Sequence, residues 1–485
     1  MSQEKANIHL TNWDIVGINP NDKNWSSGDL FCFWAINIQS LIGFSLIASL
    51  YLVYDLNILV VLSSSLLAGI LVALFANLVG GPSQKYGLPF PVILRSSFGV
   101  SGARYVAMLR GIVGLCFFGI QTFFISKSIG YLVRILIFNI NDEFLEREVF
   151  LIFLMGMDLI DWCSFFVALI LQFYLFKQGQ NFIKLILNFS AWFVYTGLVV
   201  FIIVLAGENS KEIISAFKLS VTTDNFASRE NLLSLVGITG SLFAFFSIVI
   251  LNIGDFSRYV KNRSENSKGN FSLIINLIIF SFASVFIVLG ADIVMAKQLL
   301  EVEQLLTNPT DIIGKIDNSF LTIIAILFIL VASGSTNLIA NYIPMQNALL
   351  NFLPKNLNKS SSGLLIIILG LIFGGLWLPI LSQSGALSII DTIASFFGPI
   401  AGVIIADYYL IKNKEYISKD IFSNSKSGAY FYSGGWQIKG FYSMIIGFVF
   451  AASTIWNVEL RFLQSFAWLI GAFTSYITYY LLASD

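Results

Sequence analysis

Charge is what this chain of 485 residues has least of: Asp, Glu, Lys and Arg together make up 12% of it, about half the share found in soluble domains. Histidine occurs once and cysteine three times. Each shortage excludes something. The lone His9 lies in a polar leading segment, so imidazole catalysis or zinc binding within the apolar part has no candidate. Cys32, Cys116 and Cys163 sit in or beside apolar runs without metal-type spacing, and read as small buried thiols. The 28 basic and 28 acidic residues cancel, leaving no cationic excess for nucleic acid. No GxxxxGK[ST] stretch is present to cradle a nucleotide. Residues 1–29 are polar and lack the basic start and early apolar run of a signal peptide; they are expected to form a cytoplasmic tail.

What is abundant is apolar surface. Hydrophobic residues make up 56%, Phe alone contributes 46, and mean hydropathy is +0.80. A soluble fold of this length cannot bury so much, whereas a bilayer removes the need to. About 20 apolar residues cross a membrane as a helix. Twelve segments qualify, at about 30–53, 57–79, 104–138, 162–178, 181–206, 234–258, 271–296, 319–349, 363–382, 386–411, 439–457 and 462–482. With both termini inside, nineteen of the 28 basic residues fall in the tail or in loops after even-numbered spans, as the positive-inside rule requires. The opposite loops are acidic, with Asp142, Glu143, Glu146 and Glu148, then Glu301 and Glu303. No linker divides the chain. It is expected to comprise the tail, a core over 30–411, a polar cytoplasmic loop over 412–438, and two further helices over 439–482.

Polar residues deep in apolar helices are costly and tend to mark function. The first span carries Asn37, Gln39 and Ser40. Asn37 and Gln39 are two apart and cannot share a helical face. Either they bond to neighbouring helices, or the helix unwinds there and turns carbonyls and an amide toward a cavity. In the third span Phe117 and Gln121 are four apart: a ring plate beside an amide suits a planar heterocycle, although a Phe here can also simply pack. Lys127, two turns on, is expected to snorkel outward. The eighth span reads Ala332-Ser333-Gly334-Ser335-Thr336-Asn337, with Asn341 one turn later. Small residues permit close packing. Alternatively, Ala332, Ser335 and Thr336 line one side and, with carbonyls from an unwound partner, form an all-oxygen site for a hard cation. The sixth span has Gly237 and Gly240, which favour a break, then Phe245, Phe246 and Ser247. It ends Asn252-Ile253-Gly254-Asp255-Phe256-Ser257-Arg258. Asp255 with Arg258 is the best acid–base pair for a membrane enzyme, but reads as a helix-end cap or gate.

Five stretches in order, GGPSQKYGLPFPVILRSSFG (80–99), FFGIQTF (117–123), LNIGDFSRYV (251–260), SGSTNLIANYIP (333–344) and GPIAGVIIADYY (398–409), resemble the nucleobase–cation symporter-1 family over essentially the whole chain. That family includes the sodium–hydantoin transporter and the cytosine, uracil and allantoin permeases. The resemblance implies an all-α integral membrane protein with a LeuT-type fold: helices 1–5 and 6–10 as inverted repeats, the first and sixth broken at mid-membrane, and two helices outside. It implies a sodium site at Ala35, Ile38, Ala332, Ser335 and Thr336. It implies a substrate site at Gln39, Phe117, Gln121, Phe246, Asn337 and Asn341. The sodium–hydantoin member has Trp at both plates where this chain has Phe117 and Phe246, so the cargo does not transfer with the fold. The expectation is a monomeric symporter in the cell membrane. It would use no cofactor beyond a coupling Na+ and take a uracil-, cytosine-, allantoin- or hydantoin-like solute. The alternatives are a proton-coupled permease for a vitamin-like heterocycle and, from another class, a membrane-embedded enzyme.

Overall fold

A computed structural model describes residues 12–53, 57–221, 226–297, 319–383, 386–423 and 425–484. Lys5, His9, Glu301 and Glu303 lie outside these residues. Among the described residues the only β pairings are isolated bridges, and the regular secondary structure is helical, joined by turns and loops. Among the described residues ten helices are long and apolar enough to cross a membrane: Ile58–Tyr86, Phe90–Ile140, Leu159–Phe176, Gln180–Ala206, Arg229–Asn252, Arg263–Ile293, Thr322–Phe352, Ser388–Ile411, Ile438–Trp456 and Val458–Ala483. Ser27–Ile38 and Gly43–Tyr51 form an eleventh as a pair bent by 62°. The shorter apolar helix Lys359–Gly375 falls at the ninth place, consistent with twelve spans. They are called here by ordinal, the bent pair being the first.

The spans pack in three groups. The first, second, sixth and seventh hold one another, with the fifth alongside the first, seventh and eighth; the third packs against the fourth, eighth and ninth; the tenth, eleventh and twelfth form the last group. The first two groups each take two members from early in the chain and two from five places later, which is the pattern a five-plus-five repeat produces.

The bend in the first span has a local cause. Its helix stops at Ile38, and Gln39 turns to ψ 35° while its amide N–H still closes on the Ala35 carbonyl at 2.8 Å. The Ser40 hydroxyl then accepts from the Gly43 N–H at 2.9 Å, starting the next helix. In lipid every backbone group needs a partner, and the side chain supplies one at the break. The sixth span differs from expectation. It runs unbroken from Arg229 to Asn252, through both glycines. Gly240 serves packing instead: a Cβ there would lie 2.8 Å from the ring of Phe466 and 2.9 Å from Ser465. The interruption comes only at Ile253.

The third span begins as a short helix that turns at Gly99 (φ 81°, ψ 164°), a backbone region open essentially to glycine alone. A Cβ at Gly99 would also sit 2.4 Å from the Gly435 carbonyl oxygen. The eighth span widens into a π-helical stretch over Asn337–Tyr342. Such wide turns frequently occur at functional sites.

Candidate functional site

The third, fourth and eighth spans meet around buried amides. Asn337 is fully buried and Asn341 nearly so. The Asn337 Nδ2 donates to Gln172 Oε1 at 2.8 Å, to Thr122 Oγ1 at 3.0 Å and, more weakly, toward the Phe118 carbonyl at 3.3 Å. Asn337 Oδ1 accepts from Asn341 Nδ2 at 2.9 Å, and Asn341 Nδ2 also donates to Gln121 Oε1 at 2.9 Å. The two Asn residues are four apart and share a helical face, within the wide turn. Asn337 therefore spends both ends of its amide on the protein. Asn341 keeps its Oδ1, and Gln121 its Nε2, without a partner among the described residues. Gln121 is half-buried, one turn beyond the half-buried ring of Phe117. Phe246, on the sixth span, is 1% exposed and packs edge-on against Phe245 at 5.0 Å between centroids.

Gln39, at the bend of the first span, is arranged oppositely. It is 3% exposed, yet neither Nε2 nor Oε1 makes a hydrogen bond, the Tyr195 hydroxyl being a polar neighbour beyond that reach. A buried amide left unpaired costs about 1–3 kcal/mol, so this group is unfinished until something binds. Gln39 and Ser40 also cap a cavity of about 100 Å³ lined by Phe44, Phe201, Phe280 and Phe328, and touching Ala332.

Of the oxygens expected to hold a cation, only that of Thr336 is seen, among the described residues, bonding across from the eighth span to the first. Thr336 Oγ1 donates to the Ile36 carbonyl at 3.0 Å and to the Ala332 carbonyl at 2.9 Å. Ser335 Oγ donates to the carbonyls of Val331 at 2.7 Å and Ala332 at 3.1 Å. These are neutral hard oxygens, the donor type a small alkali cation takes. Ala35 lies one residue before the Ile36 contact, and its carbonyl is held by Gln39 N–H. Ile38 is the last helical residue before the bend. Ile36 was not singled out from sequence, because a carbonyl leaves no trace in residue type.

Other polar groups resolve as scaffolding. Lys127 does not reach freely outward: it pairs with Asp161 of the fourth span, which also takes Arg134 at 3.0 Å. Asp255 accepts from the Phe90 N–H at 3.0 Å, capping the helix that leads to Gly99, and Arg258 donates to the Val16 carbonyl at 2.7 Å. Neither is arranged for chemistry on a substrate. Sequence reasoning passed over Arg110, which is 1% exposed. Its Nε and Nη2 both reach Asn252 Oδ1, at 3.1 and 2.8 Å, and Nη2 reaches the Ala340 carbonyl at 2.6 Å. It thereby links the third and eighth spans to the end of the sixth. An arginine within an apolar run was the available signal.

A family model described as a permease for cytosine/purines, uracil, thiamine and allantoin matches residues 18–482. The allantoin permease of Bacillus subtilis is 25% identical, over 99% of this chain and 94% of its own length. The purine-uracil permease of Arabidopsis thaliana is 27% identical, over 91% of this chain and 70% of its own length. Among solved structures, Mhp1, a nucleobase-cation-symport-1 family transporter in a closed conformation with bromovinylhydantoin bound, superposes with a TM-score of 0.71. It is 16% identical and covers 97% of this chain and 94% of its own. A Na+-coupled sialic acid symporter in an outward-open state gives a TM-score of 0.67 at 14% identity, covering 98% of this chain and 92% of its own. The fold is thus that of these transporters, and such relatives are carriers rather than enzymes.

Proposed function

Since the chain belongs to the family of permeases for cytosine/purines, uracil, thiamine and allantoin, we propose that it carries a planar nitrogenous heterocycle, of nucleobase, allantoin or hydantoin type, across the cell membrane together with Na+. The observation that carries this reading is the unfinished hydrogen bonding: a buried Gln39 amide on the first span whose two polar atoms make no hydrogen bond, and a polar cluster between the third and eighth spans in which Gln121 and Asn341 keep one free end each. A ring bearing carbonyl and N–H groups would complete it, with Phe117 and Phe246 offering apolar faces. Thr336 joins the two halves. It bonds to the first span at Ile36 and immediately precedes Asn337. A cation drawing on Ser335, Thr336, Ala332 and the first-span carbonyls near Ala35 and Ile38 would hold that bend in place and so favour solute binding, and the solute would favour the cation equally. The three packing groups support alternation by movement of one group against another. One charge crossing about 100 mV supplies about 2.3 kcal/mol, and a tenfold ion gradient about 1.4 kcal/mol more, enough for accumulation of several hundredfold without ATP. On this reading the chain acts as a monomer, with both termini in the cytoplasm.

The test is uptake of radiolabelled uracil, cytosine, allantoin and benzylhydantoin into cells or proteoliposomes holding the full chain, with Na+ present or replaced by choline, over a range of pH. Na+-dependent accumulation of at least one is expected. Transport of none would overturn the solute class. Uptake that follows pH and ignores Na+ would replace sodium by a proton and leave the solute assignment standing.

A further inference from the structure

The amide cluster has a direction, and that direction can be read from the one member that cannot turn over. The Phe118 carbonyl only accepts. Thr122 Oγ1 donates to it at 2.7 Å, so the Thr122 oxygen presents lone pairs to its other neighbours. Asn337 faces that oxygen and the Phe118 carbonyl and must turn its NH₂ toward them. The same NH₂ makes its shortest bond, 2.8 Å, to Gln172 Oε1. Gln172 is the fourth span's contribution, 5% exposed, and its Nε2 lies 3.3 Å from Thr122 Oγ1 as a second donor to it. Once Asn337 is fixed, its Oδ1 points at Asn341, which must answer with NH₂. The remaining hydrogen of that NH₂ goes to Gln121 Oε1. The orientation passes from a backbone carbonyl through four side chains, and its free ends are a donor at Gln121 Nε2 and an acceptor at Asn341 Oδ1.

We propose that Gln172, with Thr122, is a positioning residue that fixes this donor–acceptor order, so that the site takes solutes presenting a ring carbonyl beside a ring N–H, the edge of a cyclic amide or imide. Gln172 touches no solute; it acts through Asn337 and Asn341. A ring whose N–H is methylated leaves the Asn341 oxygen buried and unpaired, and Asn341, anchored from behind, cannot turn aside for the methyl group. This rests on the heterocycle reading above.

The probe is whichever of uracil, allantoin and benzylhydantoin the wild-type chain accumulates, with the parent and its imide-N-methyl derivative as unlabelled competitors. The readout is the ratio of their half-inhibitory concentrations, which is internal to each preparation and independent of how much protein reaches the membrane. Wild type is expected to prefer the parent by about 5- to 150-fold, the range for one buried unpaired group. Gln172→Glu, whose neutral carboxyl keeps an acceptor for Asn337 and a donor for Thr122, should retain that ratio. Gln172→Leu and the near-isosteric Thr122→Val should each lower it several-fold, and the double variant should bring it close to one. A residue that merely filled space would change total uptake and leave the ratio alone. An unchanged ratio in Gln172→Leu and Thr122→Val overturns the proposal, and Thr122→Val keeps the test decisive if the leucine variants fail to insert. Equal inhibition by both competitors in wild type overturns the donor–acceptor order while leaving transport intact. Failure of wild type to accumulate any of the three, or cytosine, overturns the heterocycle reading itself; uptake of cytosine alone moves the same comparison to cytosine and its N1-methyl derivative.

Discussion

The amide of Asn337 on the eighth span and the amide of Gln39 on the first are both buried, and they are in opposite condition. Asn337 has every polar atom engaged by Gln172, Thr122 and Asn341; Gln39 has none engaged. The former belongs to the group built on the third span, the latter to the group built on the first. A satisfied network is rigid and specifies one arrangement. An unpaired buried amide raises the energy of the state that contains it and lowers it again when a ligand supplies the bonds. One half of the site is therefore finished by folding, and the other is finished by binding. That division suits a carrier, which needs a fixed template for recognition and a second surface whose state depends on occupancy.

The most severe way to break this comparison is Asn337→Leu. It strips partners from Gln172, Thr122 and Asn341 at once, each a buried polar group. By the cost of about 1–3 kcal/mol per orphaned group, the protein in detergent should lose several kcal/mol of stability, read as a large drop in its thermal midpoint, and uptake should be abolished. A melting point equal to wild type would show that the network is not holding the fold. Gln39→Leu should do the reverse. With no internal bond to lose, its melting temperature stays level or rises, while solute affinity falls about 5- to 150-fold, the equivalent of 1–3 kcal/mol of lost pairing. Equal loss of stability in the two variants would erase the distinction.

How much of this was legible in the sequence follows the same line. Asn37 and Gln39 are too close to share a face; that spacing left interhelical bonding and an unwound helix both open, and the structure has the bend at Gln39. Lipid hydropathy located the spans, but several helices run about one to four turns beyond the apolar run: the second continues to Tyr86, the third starts at Phe90 and the seventh at Arg263. The sixth span misled because Gly240 was read for its backbone freedom, when its role is to let Phe466 approach; a glycine in sequence does not say which. Asn337 could be marked as important, but not that its amide would be spent on Gln172, because that contact joins spans 165 residues apart. The Asn337–Asn341 contact was legible as a four-residue spacing, whereas the π-helical form of that stretch was not. Ile36 accepts through its backbone carbonyl alone and is invisible to any argument from residue type.

Arg110 ties the two groups together. Its guanidinium spans Asn252 on the sixth span and the Ala340 carbonyl on the eighth, a fork that lysine cannot reproduce. Arg110→Lys should loosen the junction without removing the charge. The loss of one charge-assisted bond, about 1–2 kcal/mol, corresponds to about 5- to 30-fold faster backbone hydrogen exchange around residues 252–257, with less change at Asn337. Uniform acceleration across both groups would mean that Arg110 stabilises the whole fold rather than this junction.

The smallest effects should separate Thr336 from Ser335. Both hydroxyls belong to the proposed cation site, but only Thr336 also crosses to the first span, at Ile36, while Ser335 bonds within its own helix. Without Na+, Ser335→Ala should therefore leave the bend near Gln39 as it is. Thr336→Val should free it at a cost of about 0.5–1.5 kcal/mol, the usual worth of one hydrogen bond. With Na+ present, both variants lose a ligand oxygen, and the half-saturating Na+ concentration should rise about 2- to 10-fold in each. Comparing the two conditions isolates the bridge: a Thr336→Val defect that persists without the ion belongs to the contact between the groups, and one that appears only with it belongs to cation binding. If both variants behave alike in both conditions, the Ile36 contact carries no coupling, and Gln39 must be held by the first span alone.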